Sequence, residues 1–225
     1  MDYLPMILGA SFGVAAGWWF PTVQHHLYRN QDYRQNPSTG RRRLLLQVFC
    51  AAAAGGIGAA ALRPDHYDIG PALLTAAFGL VLVAISSTDF ERRIIPNKLT
   101  YPAILAAAAL AWAWPDRSWV DVAAGAGTAL GLAVAMVVFG FLVGFLLGVR
   151  ETPFGMGDAK LILLVGLILG WKGLLPALFI GVVLGGVVAV VFIVRGGRRS
   201  VYSYGPYLAT GAVVVMLWFG NFVDA

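Results

Sequence analysis

Apolar runs long enough to cross a bilayer recur along this chain, with short polar stretches between them. A hydrocarbon core of roughly 30 Å takes about 20 apolar residues in a helix. On that template the pattern predicts eight helices, near residues 4–23, 44–62, 69–88, 98–114, 119–149, 159–171, 174–194 and 205–222. The longest polar interval, QHHLYRNQDYRQNPSTGRRR from Gln24 to Arg43, leaves no room for a separate soluble domain, so residues 1–225 read as one integral-membrane domain. The expected fold class is all-α, a polytopic membrane protein of about eight transmembrane helices. Glycines repeat at every fourth position in GASFG continuing to Gly17, in GFLVG continuing to Gly148, and in GLILG and GVVLG. That spacing lets membrane helices approach closely. The fifth run is longer than a span requires and must tilt, kink or project. No internal repeat of the kind that builds inverted-repeat transporters stands out.

Composition agrees with the pattern: 59% of residues are hydrophobic and only 12% charged, where a soluble globule carries about 25% charged residues. The sequence opens with MDYLPMILGA, which leads into the first run and holds an acid and no Lys or Arg. That run therefore lacks the basic start of a cleaved signal peptide and is expected to be a permanent span. A single cysteine, Cys50, excludes an intrachain disulfide and a Cys-cluster metal site. Thirteen of the sixteen Lys and Arg fall at one set of alternate loops and helix ends, leaving Arg63, Arg117 and Lys172 at the other. Cytoplasmic loops collect such residues, which predicts extracytoplasmic termini and places PFGMGD at the cytoplasmic face. The net charge of +5 fits attraction to anionic membrane lipid and gives no sign of a nucleic-acid partner.

Helix length then singles out acids. From Asp158 to Trp171 there are thirteen steps, roughly 20 Å of helix. With Trp171 and Lys172 at the outer interface, Asp158 falls several ångströms inside the membrane. Ile69 to Asp89 covers about 30 Å, which sets Asp89 at the cytoplasmic mouth of the third run. Asp2, Asp65, Asp68, Asp116, Asp121 and Asp224 belong to the outer face and Asp32 to the polar loop, leaving Asp89, Glu91, Glu151 and Asp158. An acid at membrane depth is costly unless paired, hydrated or lining a cavity, so these four are functional candidates. Each also has a purely structural reading. Asp158 can cap a helix, with Gly155 and Gly157 shaping the turn. Asp89 can be solvated beside Arg92 and Arg93, and Glu91 and Glu151 can be loop charges. Pro96 can open the fourth helix by fixing its first turn. Asp89 poses a further question: it ends the helix LVAISSTDFERR, where the macrodipole disfavours a negative charge.

Three segments, in this order, resemble one family. TDFERRIIPNKLT, with Asp89, Ile95, Pro96 and Asn97, precedes GMGDAKL from Gly155 to Leu161, and YGPYLATG follows from Tyr204 to Gly211. The pattern is similar to that of the type IV prepilin peptidases, membrane aspartic proteases with a GxGD signature. The resemblance implies that Asp89 and Asp158 form a catalytic dyad acting on type IV pilin-like precursors, in the cell membrane of a prokaryote with the site facing the cytoplasm. Such a precursor has a short basic leader ending in Gly, followed by a hydrophobic helix. Two carboxyls held together cannot both ionise cheaply, so one keeps a proton. The charged one activates water while the other donates to the scissile carbonyl, and neither a metal nor a cofactor is needed. Gly155 and Gly157 would admit substrate backbone. Lys160 adds a positive field, although two residues along a helix it points away from Asp158. Glu91 and Glu151 are candidates for pairing with the basic leader. A helix too short to reach the interface also leaves room for a water-filled cavity.

Many bacterial members of that family carry paired Cys-x-x-Cys zinc ligands between the first two helices and N-methylate the product with S-adenosylmethionine. Here residues 24–43 hold no cysteine, and His25 and His26 make a poor metal site alone. S-Adenosylmethionine enters only if methyl transfer is retained. Three alternatives remain open. One is an intramembrane protease of the presenilin type, since LLPALF offers Pro176, Ala177 and Leu178. Another is a transporter in which the same two Asp carry protons or cations. The third is a membrane scaffold with an inactivated or borrowed site, which the intact acids argue against. The oligomeric state is not legible.

Overall fold

A computed structural model describes residues 3–28, 40–64, 68–115, 117–147, 155–195 and 203–218. Its elements are α1 (Leu4–Val23), α2 (His25–Tyr28), α3 (Arg41–Ala61), α4 (Ile69–Arg92), α5 (Asn97–Leu110) with a 3-10 turn over Ala111–Ala113, α6 (Trp119–Leu147), α7 (Met156–Val194) and α8 (Gly205–Trp218). Among the described residues there is no strand, as backbone in hydrocarbon must satisfy its own hydrogen bonds. Five helices are long and apolar enough to cross a membrane: α1, α3, α4, α6 over Trp119–Phe139 and α7 over Met156–Val191. The fold is that of a multi-pass membrane protein. The eight expected spans are not eight separate long helices: α5 and α8 have 14 residues each, about 21 Å of helix, and the runs at 159–171 and 174–194 share α7.

A straight α7 of 39 residues would be about 58 Å long, nearly twice a bilayer core. It is broken instead at Gly170, where φ 69 and ψ 179 form a backbone conformation that a side chain would strain. Before the break, Gly166 packs on Gly125 and Ala129 of α6. After it, Gly173 lies against Val215, Gly211 against Ala177, Gly181 against Leu208 and Gly185 against Tyr204, so this leg runs antiparallel to α8. The first leg leads away from Asp158 and the second returns towards the level at which α8 begins. The chain therefore reverses at Gly170.

The break frees helix carbonyls, and Arg117 meets them. Its guanidinium donates to the carbonyl oxygens of Ile168 and, at 3.5 Å, of Leu167, while lying 5.0 Å over the ring of Trp114. Both residues are buried, so Arg117→Ala strands two carbonyls at a cost of about 1–3 kcal/mol each. The expected result is a lower thermal midpoint in detergent micelles, with helix content at low temperature unchanged.

α1 and α3 meet through small residues, Gly9, Gly13 and Gly17 facing Gly58, Ala54 and Cys50, as the four-residue spacing anticipates. The core is shared by α4, α7 and α8, with α8 packed against both of the others and Leu82, Ile85, Leu161, Leu164, Ile168, Leu174 and Leu208 fully buried. α4 and the two legs of α7 are thereby fixed as a frame for the residues at one end of the bundle.

Candidate active site

Asp89 lies in the last turn of α4 and is 5% exposed. Its Oδ2 accepts a hydrogen bond from the backbone N–H of Gly205 at 3.0 Å and another from the hydroxyl of Ser203. Gly205 is the first residue of α8. The unfavourable C-terminal end of α4 is thus answered by the favourable N-terminal end of a second helix. α4 stops at Arg93, whose left-handed backbone (φ 57, ψ 39) directs its N–H to the carbonyl of Asp89 at 2.7 Å. The chain then passes through Ile94 and Ile95 into α5. Pro96 is the extended residue just before that helix (φ −73, ψ 125) rather than part of its first turn. Its carbonyl accepts from the N–H groups of Leu99 and Thr100 and from the Thr100 hydroxyl, each at 3.0 Å.

Asp158 is the third residue of α7, not its N-cap. From that position its Oδ2 reaches back to the N–H of Gly155 at 3.3 Å, the acidic half of a capping box. Gly157 is packed against the α4–α5 connection: a Cβ there would stand 3.1 Å from the Cβ of Ile95. Its missing side chain therefore lets the start of α7 approach the α4–α5 connection closely. Gly155 is the open position, since a Cβ there would meet nothing closer than Asp158 Oδ2 at 3.8 Å.

Both carboxyls line one cleft of about 230 Å³, whose walls are Asp89, Arg93, Ile94, Ile95, Gly155, Gly157, Asp158 and Lys160. Lys160 belongs to this wall although it lies two residues beyond Asp158. α5 draws it there: its Nζ donates to Asn97 Oδ1 at 2.8 Å and sits 4.8 Å over the ring of Tyr101. Asn97 thus acts through Lys160. Glu91 is on the other side of α4, where Gln24 Nε2 donates to its carboxylate and Ser87 Oγ donates to Gln24 Oε1 at 2.7 Å. It does not line the cleft, and its place beside α1 is taken up by this network. Glu151 lies outside the described residues, as does most of the 24–43 loop, including the side chain of His25. His26 is exposed. Among the described residues no three His, Cys, Asp or Glu side chains come together. Pro176, Ala177 and Leu178 sit in the returning leg of α7, with Ala177 against Gly211, away from the cleft.

Ser203 and Gly205 were not singled out from the sequence as site residues. The available signal was the GP pair opening the last helix, combined with the unanswered charge of Asp89. Tyr204 stands between them. Its hydroxyl is held above the usual tyrosine range by burial first and then by the Asp158 carboxyl.

A family model described as type IV leader peptidase matches residues 76–190, slightly more than half of the chain. A prepilin leader peptidase/N-methyltransferase from Burkholderia pseudomallei is 31% identical over 89% of this chain and 62% of its own length. One from Xanthomonas campestris is 31% identical over 64% of the chain and 49% of its own length. One from Bacillus subtilis is 28% identical over 77% and 64%. The chain spans less than two thirds of the length of each of these relatives. No solved structure matches it.

Proposed function

The chain belongs to the type IV leader peptidase family, and on that premise we propose that it is a membrane aspartic endopeptidase that removes the leader from type IV prepilin-like precursors. The observation that carries this reading is the juxtaposition of Asp89 and Asp158, 69 positions apart in sequence, on the wall of one cleft. A water molecule between them loses a proton to one carboxylate as it attacks the scissile carbonyl. The second carboxyl, protonated, donates to the carbonyl oxygen and stabilises the tetrahedral oxyanion. On collapse the proton passes to the leaving amine, and the pair returns to its singly protonated state. The two acids titrate as a unit rather than as separate groups.

The cleft opens, in this reading, to the cytoplasm. The support is the Lys and Arg distribution, and Arg93, a juxtamembrane base, stands at the cleft itself. The finer topology is eight crossings, made by the long helices, the two legs of α7, α5 and α8, with both termini outside.

The relatives' names also include methyl transfer. About 230 Å³ of cleft, lined among the described residues by charged and aliphatic side chains with no aromatic ring, is smaller than the roughly 300–1,000 Å³ typical of small-molecule sites. The described residues at the dyad do not fit S-adenosylmethionine, and no step is derived through it.

The test is incubation of a type IV prepilin-like precursor with membranes containing the protein, followed by gel shift and mass spectrometry. Cleavage after the final Gly of the leader, with a product of unmodified N-terminal mass, is the expected result. An intact precursor under conditions where a full-length relative cuts it overturns the peptidase reading.

A further inference from the structure

The segment that leads into α8 lies beyond the part of the chain that the family model covers, yet it holds Asp89 directly. Ser203 Oγ and Gly205 N–H converge on one oxygen of Asp89. Tyr204, the residue between them, packs its ring against Gly185 of α7, the helix that carries Asp158. We propose that Ser203, Tyr204 and Gly205 form a bracket that fixes the geometry of the acid pair, with Ser203 and Gly205 as positioning residues acting through Asp89. The proposal rests on the peptidase reading.

Three features make the bracket specific. First, α8 offers Asp89 a dedicated donor. Pro206 has no N–H, and the N–H groups of Tyr207 and Leu208 are taken by the carbonyl of Tyr204 at 3.1 and 3.3 Å, so the Gly205 N–H is left to face outward. Second, the approach is too close for any other residue: a Cβ on Gly205 would stand 3.1 Å from Asp89 Cγ and closer still to Oδ2. Third, the bracket is anchored away from the acids, with Tyr204 on Gly185 and edge-on to Tyr207, and with Leu208 on Gly181. Holding Oδ2 by two donors removes the rotation of the carboxyl. Its other oxygen, which has no hydrogen bond among the described residues, is left to meet water. A dyad needs this, because a misplacement of about 1 Å costs on the order of 10²-fold in rate.

The experiment is steady-state cleavage of a prepilin-like precursor by wild type, Ser203→Ala, Ser203→Thr and Gly205→Ala, normalised to inserted protein. Ser203→Ala is expected to lower kcat about tenfold with KM unchanged, as for loss of a charge-assisted hydrogen bond. Ser203→Thr, which keeps the hydroxyl, should restore most of it, and Gly205→Ala should lose roughly 100-fold or more. Wild-type kcat in Ser203→Ala overturns the bracket, and so does a loss confined to KM or one that Thr does not restore. If wild type itself does not cut, the peptidase reading fails. If wild type cuts and Ser203→Ala cuts equally well, the bracket alone fails.

Discussion

Asp89→Asn and Asp158→Asn are each expected to abolish cleavage of a type IV prepilin-like precursor, by at least about 10³-fold, while the protein remains in the membrane at wild-type abundance. General acid–base catalysis contributes about 10²–10⁴-fold per group. In a dyad one amide removes both functions, since water cannot be activated without a base and the oxyanion cannot be neutralised without an acid. The substitution is otherwise mild. Asparagine keeps the size of aspartate, and the donors Ser203 and Gly205 still find an amide oxygen at position 89. At position 158 an amide oxygen still accepts from Gly155. Because the two acids act as one unit, the double variant should be no slower than either single one. Gel shift with mass spectrometry, set against inserted protein on an immunoblot, decides it. Cleavage near the wild-type rate by either variant would return that acid to a capping or solvated role.

How much of this was legible in the chain depends on how local each signal was. Helix α1 occupies the predicted run from residue 4 to 23, because an uninterrupted apolar stretch needs only its own backbone to form a span. α3 begins at Arg41 rather than at 44, since arginine is a good helix former and exposed bases continue a helix into water. α4 continues past the predicted end at residue 88 to Arg92. Its extra turn holds Asp89, whose partner is supplied from 116 residues away. A pairing of that range leaves no periodicity to read, which is why YGPYLATG was legible as a motif while the hold of Ser203 and Gly205 on Asp89 was not. Glu91 shows the same limit. Its charge was legible in the chain, but the buried Gln24 that donates to it belongs to another helix end and could not be read from the local sequence. The reversal in α7 was visible as two short runs, but the hinge at Gly170 was not distinguishable from the other glycines of that helix. Only the backbone angles of the folded chain set it apart.

Gly13→Leu should deprive the protein of both its stability and its activity. In lipid, water does not drive apolar helices together, and close packing of small residues supplies much of the attraction. At the middle of the α1–α3 contact a Cβ on Gly13 would stand 2.6 Å from the carbonyl carbon of Ala54 and 2.9 Å from the nitrogen of Gly55. Both are backbone atoms of a helix and cannot turn aside as a side chain would, so α1 must move off α3 to make room. Overpacking a well-fitted contact costs about 1–3 kcal/mol or more, and the displacement spreads further. Val23 ends α1 and Gln24 follows directly, joining Glu91 and Ser87 on the turn of α4 that carries Asp89. Pulling α1 away therefore also loosens the support beneath Asp89. The expected readout is a thermal midpoint in micelles well below that of wild type, with cleavage falling in parallel. Gly56 provides the control, because it lies on the same α3 and a Cβ there meets nothing within 4 Å. Gly56→Ala should leave activity unchanged and raise the midpoint slightly, by the loss of chain entropy in the unfolded state. A Gly13→Leu protein that melts and cleaves like wild type would show that α1 contributes no more than an anchor.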